Sequence, residues 1–221
     1  MRGTAVYTGV VTMVLRVRVS LPDRPGVLGQ VARAFGVLGA DILQVMVLER
    51  EGGRAIDDFT VSWPGRFAAE ELRERMSVVP GVRIEGVWPT REVPGSSPDY
   101  DLLGHVAEGA DRAFVTLVDA VPDVVGAQWA VAIDSRTGAV VHGSWQAPGI
   151  EEMPDLTPLR PSAFTEGSLH LLSLPLKDAG LHLVVARSEG PAFHPVELDK
   201  LVRVVDIVAK LARPAADRTV A

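Results

Sequence analysis

From Leu21 to Leu28 the chain runs Leu-Pro-Asp-Arg-Pro-Gly-Val-Leu, an acidic side chain set against what reads as the start of a helix. Pro25 presets φ for that start, and Gly26 lets the backbone approach a partner closely. The amides of Gly26, Val27 and Leu28 are donors that a helix N-terminus leaves unpaired, with the positive end of the helix dipole behind them. Such a turn can hold a carboxylate. Asp23, in the same loop, can accept from an ammonium, so one short segment matches both ends of an amino acid. A purely structural reading is also open: Asp23 caps the helix and Pro25-Gly26 shapes the turn.

Other chemistry is thinly represented. The five histidines, His105, His142, His170, His182 and His194, show no metal-ligand spacing, and a hairpin centred near Asp178 sets His170 opposite residue 185 or 186 rather than His182. Asp57-Asp58 and Glu151-Glu152 are sequence neighbours that point to opposite sides of a strand, which suits solvated surface better than a paired acid and base. No nucleophile elbow, phosphate loop or dinucleotide fingerprint occurs. Trp129 and Trp145 suit core positions in strands better than a pocket lining. No catalytic residue and no metal ligand is therefore assigned.

The elements that must position the loop follow from periodicity. Val14 to Leu21 alternates, with Leu15, Val17, Val19 and Leu21 on one face and Arg16, Arg18 and Ser20 on the other, as a half-buried strand does. Val27, Leu28, Val31, Phe35 and Leu38 recur at helical spacing, and Gly39 falls where a helix end needs a residue tolerant of positive φ. Strands are predicted at Ile42 to Leu48 and around Phe59, Val61 and Trp63, joined by a turn at Glu51-Gly52-Gly53-Arg54. A helix over Phe67 to Val79 and a strand over Val82 to Trp88 complete a βαββαβ order, the ferredoxin-like plan of two helices on one face of a four-stranded antiparallel sheet. Its second face and its edges are then bare unless a second copy covers them.

Pro89 to Asp99, rich in Pro, Ser and Gly, reads as a linker. Beyond it the pattern predicts a long amphipathic helix from Leu102 to Val121 ended by Pro122, strands at Gln128 to Asp134 and Ala139 to Trp145, and an unpatterned loop over residues 146–167. Strands at Leu169 to Leu174 and Leu181 to Arg187 and a last helix from Pro195 to Arg213 follow. The apolar stripe of that helix is too wide for one buried side, which suggests a bundle with a second subunit.

Two resemblances bear on these halves. The segments DRPGVL and LGADIL, the Gly-Gly hairpin and the VPGV entry to the fourth strand resemble an ACT domain over residues 13–88. ACT domains are regulatory modules that usually pair through their sheets and bind amino acids or other small effectors near the dimer interface. The resemblance implies that Asp23, Gly26, Val27 and Leu28 line one side of a site and that Gly39, Asp41 and Ile42 line the other. Many members carry Asn where this chain has Asp41, and an ionised Asp cannot donate to a carboxylate. The stretch LPL, a short turn, LVVAR and then Phe193, Glu197, Leu198 and Leu201 is similar to the C-terminal part of GAF domains, sensor modules that commonly dimerise through terminal helices.

Composition bounds these expectations. The 221 residues hold 28 acidic and 22 basic side chains and no Cys, which excludes disulfide frameworks, thiolate catalysis and thiolate metal sites. The two halves, divided at Gly95, carry net charges of +1 and −7. That charge argues against nucleic acid and against anionic membranes, and no apolar run reaches the roughly 18 residues of a membrane span. The expectation is an α+β protein: a ferredoxin-like domain over residues 13–88, a linker over 89–98, and a GAF-like domain with antiparallel sheet and terminal helices over 99–213. Its expected role is that of a cytoplasmic, non-catalytic homodimer that binds an amino acid or related small-molecule effector and acts on a partner enzyme or regulator. Two alternatives stand beside it: a ligand-free docking protein, and an enzyme built around the 146–167 loop with Trp145 and His142.

Overall fold

A computed structural model describes residues 12–91, 95–149, 160–176 and 179–212. The chain is α+β and divides into two compact units, Met1–Pro94 and Gly95–Ala221.

The first unit follows β1 (Thr12–Pro22), α1 (Val27–Val37), β2 (Asp41–Glu51), β3 (Arg54–Pro64), α2 (Ala69–Ser77) and β4 (Arg83–Pro89). Its strands form one antiparallel sheet in the order β2-β3-β1-β4. The alternation in β1 does what period-two patterning demands: Leu15, Val17, Val19 and Leu21 meet Phe59 and Val61 of β3, Val31 and Phe35 of α1, and Leu72 and Met76 of α2 in one core. Phe35 and Phe59 pack with ring centroids 5.3 Å apart. At the end of α1, Gly39 takes φ +73 and the Ala40 amide donates to the Phe35 carbonyl, closing the helix as its sequence predicts. Gly52 and Gly53, at φ +58 and +75, make the tight β2–β3 turn.

The second face of this sheet is not bare. There Arg18 and Asp58 are only 2% and 4% exposed, joined by two hydrogen bonds of 2.8 and 2.9 Å, and the guanidinium stands 5.6 Å from the Trp88 ring centroid. An edge remains at β2, where Val45, Met46 and Val47 are consecutive and exposed. The pairing of β2 with β3 slips twice, between Ile42 and Gln44 and between Val47 and Glu49, so each end of the strand carries a bulge.

The second unit contains α3 (Pro98–Glu108), a 3-10 turn (Ala110–Arg112), α4 (Ala113–Val125), β5 (Trp129–Asp134), β6 (Val140–Gly143), β7 (Ser162–Glu166), β8 (Leu169–Leu176), β9 (Leu181–Arg187) and α5 (Pro195–Ala212). The five strands form an antiparallel sheet in the order β6-β5-β9-β8-β7. Apolar side chains of α3, α4 and α5 pack on one face through Leu102, Leu117, Val121, Leu201 and Val208, and a smaller cluster around Trp129, Val131, Leu171 and Val184 lies on the other. The β5–β6 turn is set by Asp134, whose carboxylate accepts from the amides of Arg136 and Thr137.

Two sequence expectations change here. The single helix from Leu102 to Val121 is two helices, because the chain leaves helical geometry at Gly109 (φ −134), and Pro122 sits inside α4 rather than ending it. The unpatterned loop contains β7, a five-residue edge strand too short to show alternation; residues 150–159 of that loop, with Glu151-Glu152, lie outside the described residues. On α5, α3 and α4 of the same chain bury Leu201, Val204, Val205 and Val208 of the wide stripe, while Ile207 of that stripe stays exposed.

Candidate functional site

The loop from Asp23 to Gly26 is held where β1 ends. Its Asp23 amide donates to the Gly53 carbonyl in the β2–β3 turn at 2.9 Å, so the hairpin tip and the start of α1 share one end of the sheet. Gly26 occupies the cap position of α1 with φ +90, and no side chain caps the helix. A Cβ at Gly26 would meet open space, so the glycine serves the left-handed backbone rather than a close approach within the chain. The first turn therefore presents Leu28 and Gly29 amides toward solvent-exposed positions, while the Val27 side chain is buried in the core.

Asp23 already has a partner that its sequence context did not suggest. The Arg50 guanidinium, from the far end of β2, donates to both carboxylate oxygens, Nε to Oδ2 at 3.1 Å and Nη2 to Oδ1 at 3.0 Å. This pair is open to water, with Arg50 65% and Asp23 30% exposed. Neither residue caps the helix.

The second acidic group is Asp57 on β3. It pairs with Val19 of β1 and Val47 of β2, and it shares the parity of Ala55, Phe59, Val61 and Trp63, so it points to the helix-covered side. It is 3% exposed, and its Oδ1 has no hydrogen-bond partner among the described residues. Burial pushes the Asp57 carboxyl above its ordinary value of 3.8, and the nearby charges of Asp23 and Asp58 push it the same way, against the opposing pull of Arg50. Asp57 and Asp58 are thus not the solvated pair that adjacency suggested: both are buried, on opposite faces of the sheet, and only Asp58 has an arginine bonded to it.

Of the residues singled out by sequence, Asp23, Gly26, Val27 and Leu28 come together at this end of α1. Gly39, Asp41 and Ile42 do not join them within one chain. They lie at the opposite end of α1, whose 11 residues span roughly 16 Å at 1.5 Å per residue. Sequence reasoning missed Arg50 and Asp57. Arg50 gives no local signal, because its contact crosses 27 positions of sequence. Asp57 does give one: it is an acid at a core-facing position of an otherwise apolar alternation.

In the second unit, His142 on β6 and Asp119 on α4 pair at 2.8 Å in partly exposed surroundings. Trp145, three positions after His142, is 96% exposed, so the expected core position is not where it lies. His170 stands opposite Arg187 rather than His182. Among the described residues no group of three His, Asp or Glu side chains is placed to hold a metal ion, and no helix is long and apolar enough to cross a membrane.

No family model matches the chain, and no curated protein does. Among solved structures, it is similar to an unknown protein from Galdieria sulphuraria, with 15% identity over 90% of this chain and 92% of that one and a TM-score of 0.32. It is similar to a putative glycine cleavage system transcriptional repressor at 10% identity over 90% and 92% of the two chains, with a TM-score of 0.30. A formyltetrahydrofolate deformylase from Pseudomonas putida KT2440 matches at 17% identity over 43% of this chain and 38% of that one, again with a TM-score of 0.30. All three TM-scores lie below 0.5.

Proposed function

We propose that this chain is a non-catalytic regulatory protein whose first unit binds an amino acid or a related small effector at the start of α1. The observation that carries this is the convergence of opposite polarities at one end of the sheet: an uncapped helix N-terminus with the Asp23–Arg50 pair and the buried Asp57 carboxylate beside it. Backbone amides and a guanidinium suit a carboxylate, and an ionised carboxylate suits an ammonium. Effector binding acts by favouring one arrangement of the protein over another, so an effector that binds two arrangements equally well transmits nothing.

The ACT-like reading adds a second copy. Gly39, Asp41 and Ile42 sit far from Asp23 within one chain, and a site built from both groups needs two chains. The exposed β2 edge at Val45, Met46 and Val47 supports such pairing. The second unit, with its antiparallel sheet and its helices packed on one face, is read as the GAF-like module that passes occupancy to a partner enzyme or regulator.

A docking protein without any small ligand is the alternative, and the Asp23–Arg50 pair favours it, because that carboxylate is satisfied inside the protein. Thermal denaturation with each common amino acid at millimolar concentration separates the two. A ligand at about 100 times its dissociation constant adds roughly 2.7 kcal/mol and raises the midpoint by several degrees. A selective rise supports the sensor; a flat response to every amino acid supports the docking protein.

A further inference from the structure

We infer that Asp57, not Asp23, is the group that receives the effector's ammonium, and that it makes the site selective for ligands carrying a free primary amine. The inference rests on the effector reading above and names a residue outside the loop that suggested it. Asp23 spends both carboxylate oxygens on Arg50. Among the described residues, Asp57 keeps an oxygen without a hydrogen-bond partner at the helix-facing side of β3. A buried carboxylate oxygen left unpaired is costly to the fold unless something else satisfies it, and a ligand donor is such a partner.

Arg50 projects from the same face of the sheet, opposite Ala55 and one core-facing position nearer the hairpin than Asp57, and its side chain is largely in water. An ammonium at Asp57 takes over the electrostatic role that Arg50 plays from a distance, and the first-turn amides of α1 remain for the ligand's carboxylate. Burial raises the proton affinity of Asp57, with the charges of Asp23 and Asp58 adding to it and Arg50 opposing them. Binding of an ammonium should therefore weaken in acid, when Asp57 is protonated.

The test is isothermal titration calorimetry of the full chain with the amino acid that raises its melting point most, and with the α-hydroxy acid of the same side chain, which lacks the ammonium. The unsubstituted protein is expected to prefer the amino acid by about tenfold or more, and Asp57→Asn to lose that preference while still melting cooperatively. Asp57→Ser is measured in parallel, so that one poorly folding variant does not leave the question open. If the amino acid binds and the Asp57 variants keep the full preference, Asp57 is not the acceptor and the effector reading survives without it. If no amino acid shifts the melt of the unsubstituted protein, both fall together.

Discussion

Removing the Glu197 side chain should be the most damaging single change in the second unit. Glu197 stands at the third position of α5 and has two tasks. Its carboxylate accepts from the His194 amide at 2.7 Å, tying down the residue that precedes the helix. It also takes both ends of the Arg187 guanidinium, at 3.0 and 3.1 Å, where Arg187 is 1% exposed and stacked 4.0 Å from the Phe193 ring centroid. Losing the capping bond costs about 1 kcal/mol, and leaving a buried guanidinium without its counter-ion costs about 3 to 5 kcal/mol. Glu197→Ala should thus remove about 4 to 6 kcal/mol of the roughly 5 to 15 kcal/mol that a domain has. With about 2.1 cal/mol/K per residue over roughly 130 residues, the unfolding entropy is near 0.27 kcal/mol/K, so the midpoint of the second unit should fall by roughly 15 to 22 °C. Differential scanning calorimetry reads this directly. The double variant Arg187→Met/Glu197→Leu removes the charge instead of orphaning it, and should regain most of the loss. A fall under about 5 °C for Glu197→Ala, or a double variant worse than the single one, would refute the reasoning.

Other expectations concern the first unit and the surface. Asp57→Asn should raise stability at neutral pH, because it removes a negative charge that burial and the neighbouring Asp23 and Asp58 disfavour. The sign follows from linkage: a carboxyl whose folded value is raised binds its proton more tightly when folded, so it stabilises the fold in acid. That contribution is lost as pH rises from the ordinary value of 3.8 through the raised one. Urea titrations should therefore show the advantage of Asp57→Asn shrinking toward zero as pH falls, and an advantage independent of pH would count against it. Gly26→Ala should cost about 1 to 2 kcal/mol from the left-handed backbone alone, because its Cβ meets nothing. Gly81→Ala should cost more, since its Cβ would lie 2.8 Å from Cγ of Pro22; equal midpoints for the two variants would contradict this. Trp145→Ser should shift the midpoint of unfolding within the range of about 0.5 kcal/mol typical of surface changes, and should remove a tryptophan emission typical of water.

The βαββαβ unit was legible because its patterns are local and strong: period-two alternation in β1, helical spacing from Val27 to Leu38, and a Gly-Gly turn each report on neighbours a few residues away. The second unit was read less well for the same reason. Gly109 interrupts an apolar stripe that keeps its period, so the break between α3 and α4 does not disturb the pattern, and β7 is too short to alternate. The width of the α5 stripe was real, but periodicity counts buried sides without saying whose side chains bury them. At the site, the loop was legible and its charge partners were not. Arg50 meets Asp23 only because the sheet folds the hairpin tip back onto the loop, whereas Asp57 could have been found by asking which face of β3 it occupies.

The two bulges in β2 bear on how the protein behaves when concentrated. A sheet with free edges is a template for fibres, and growth without limit requires each added copy to offer a fresh edge that the next can use. Here the regular stretch of β2 is confined to the four residues from Gln44 to Val47 between its two slips. The opposite edge, β4, has only seven residues and ends in a proline. Within the first unit, pairing of β2 with its own copy is symmetric and uses up the better edge on both molecules, leaving the short β4 edge outward on each. Association through β2 therefore ends at two copies, and particles joined by this edge should be discrete rather than filamentous.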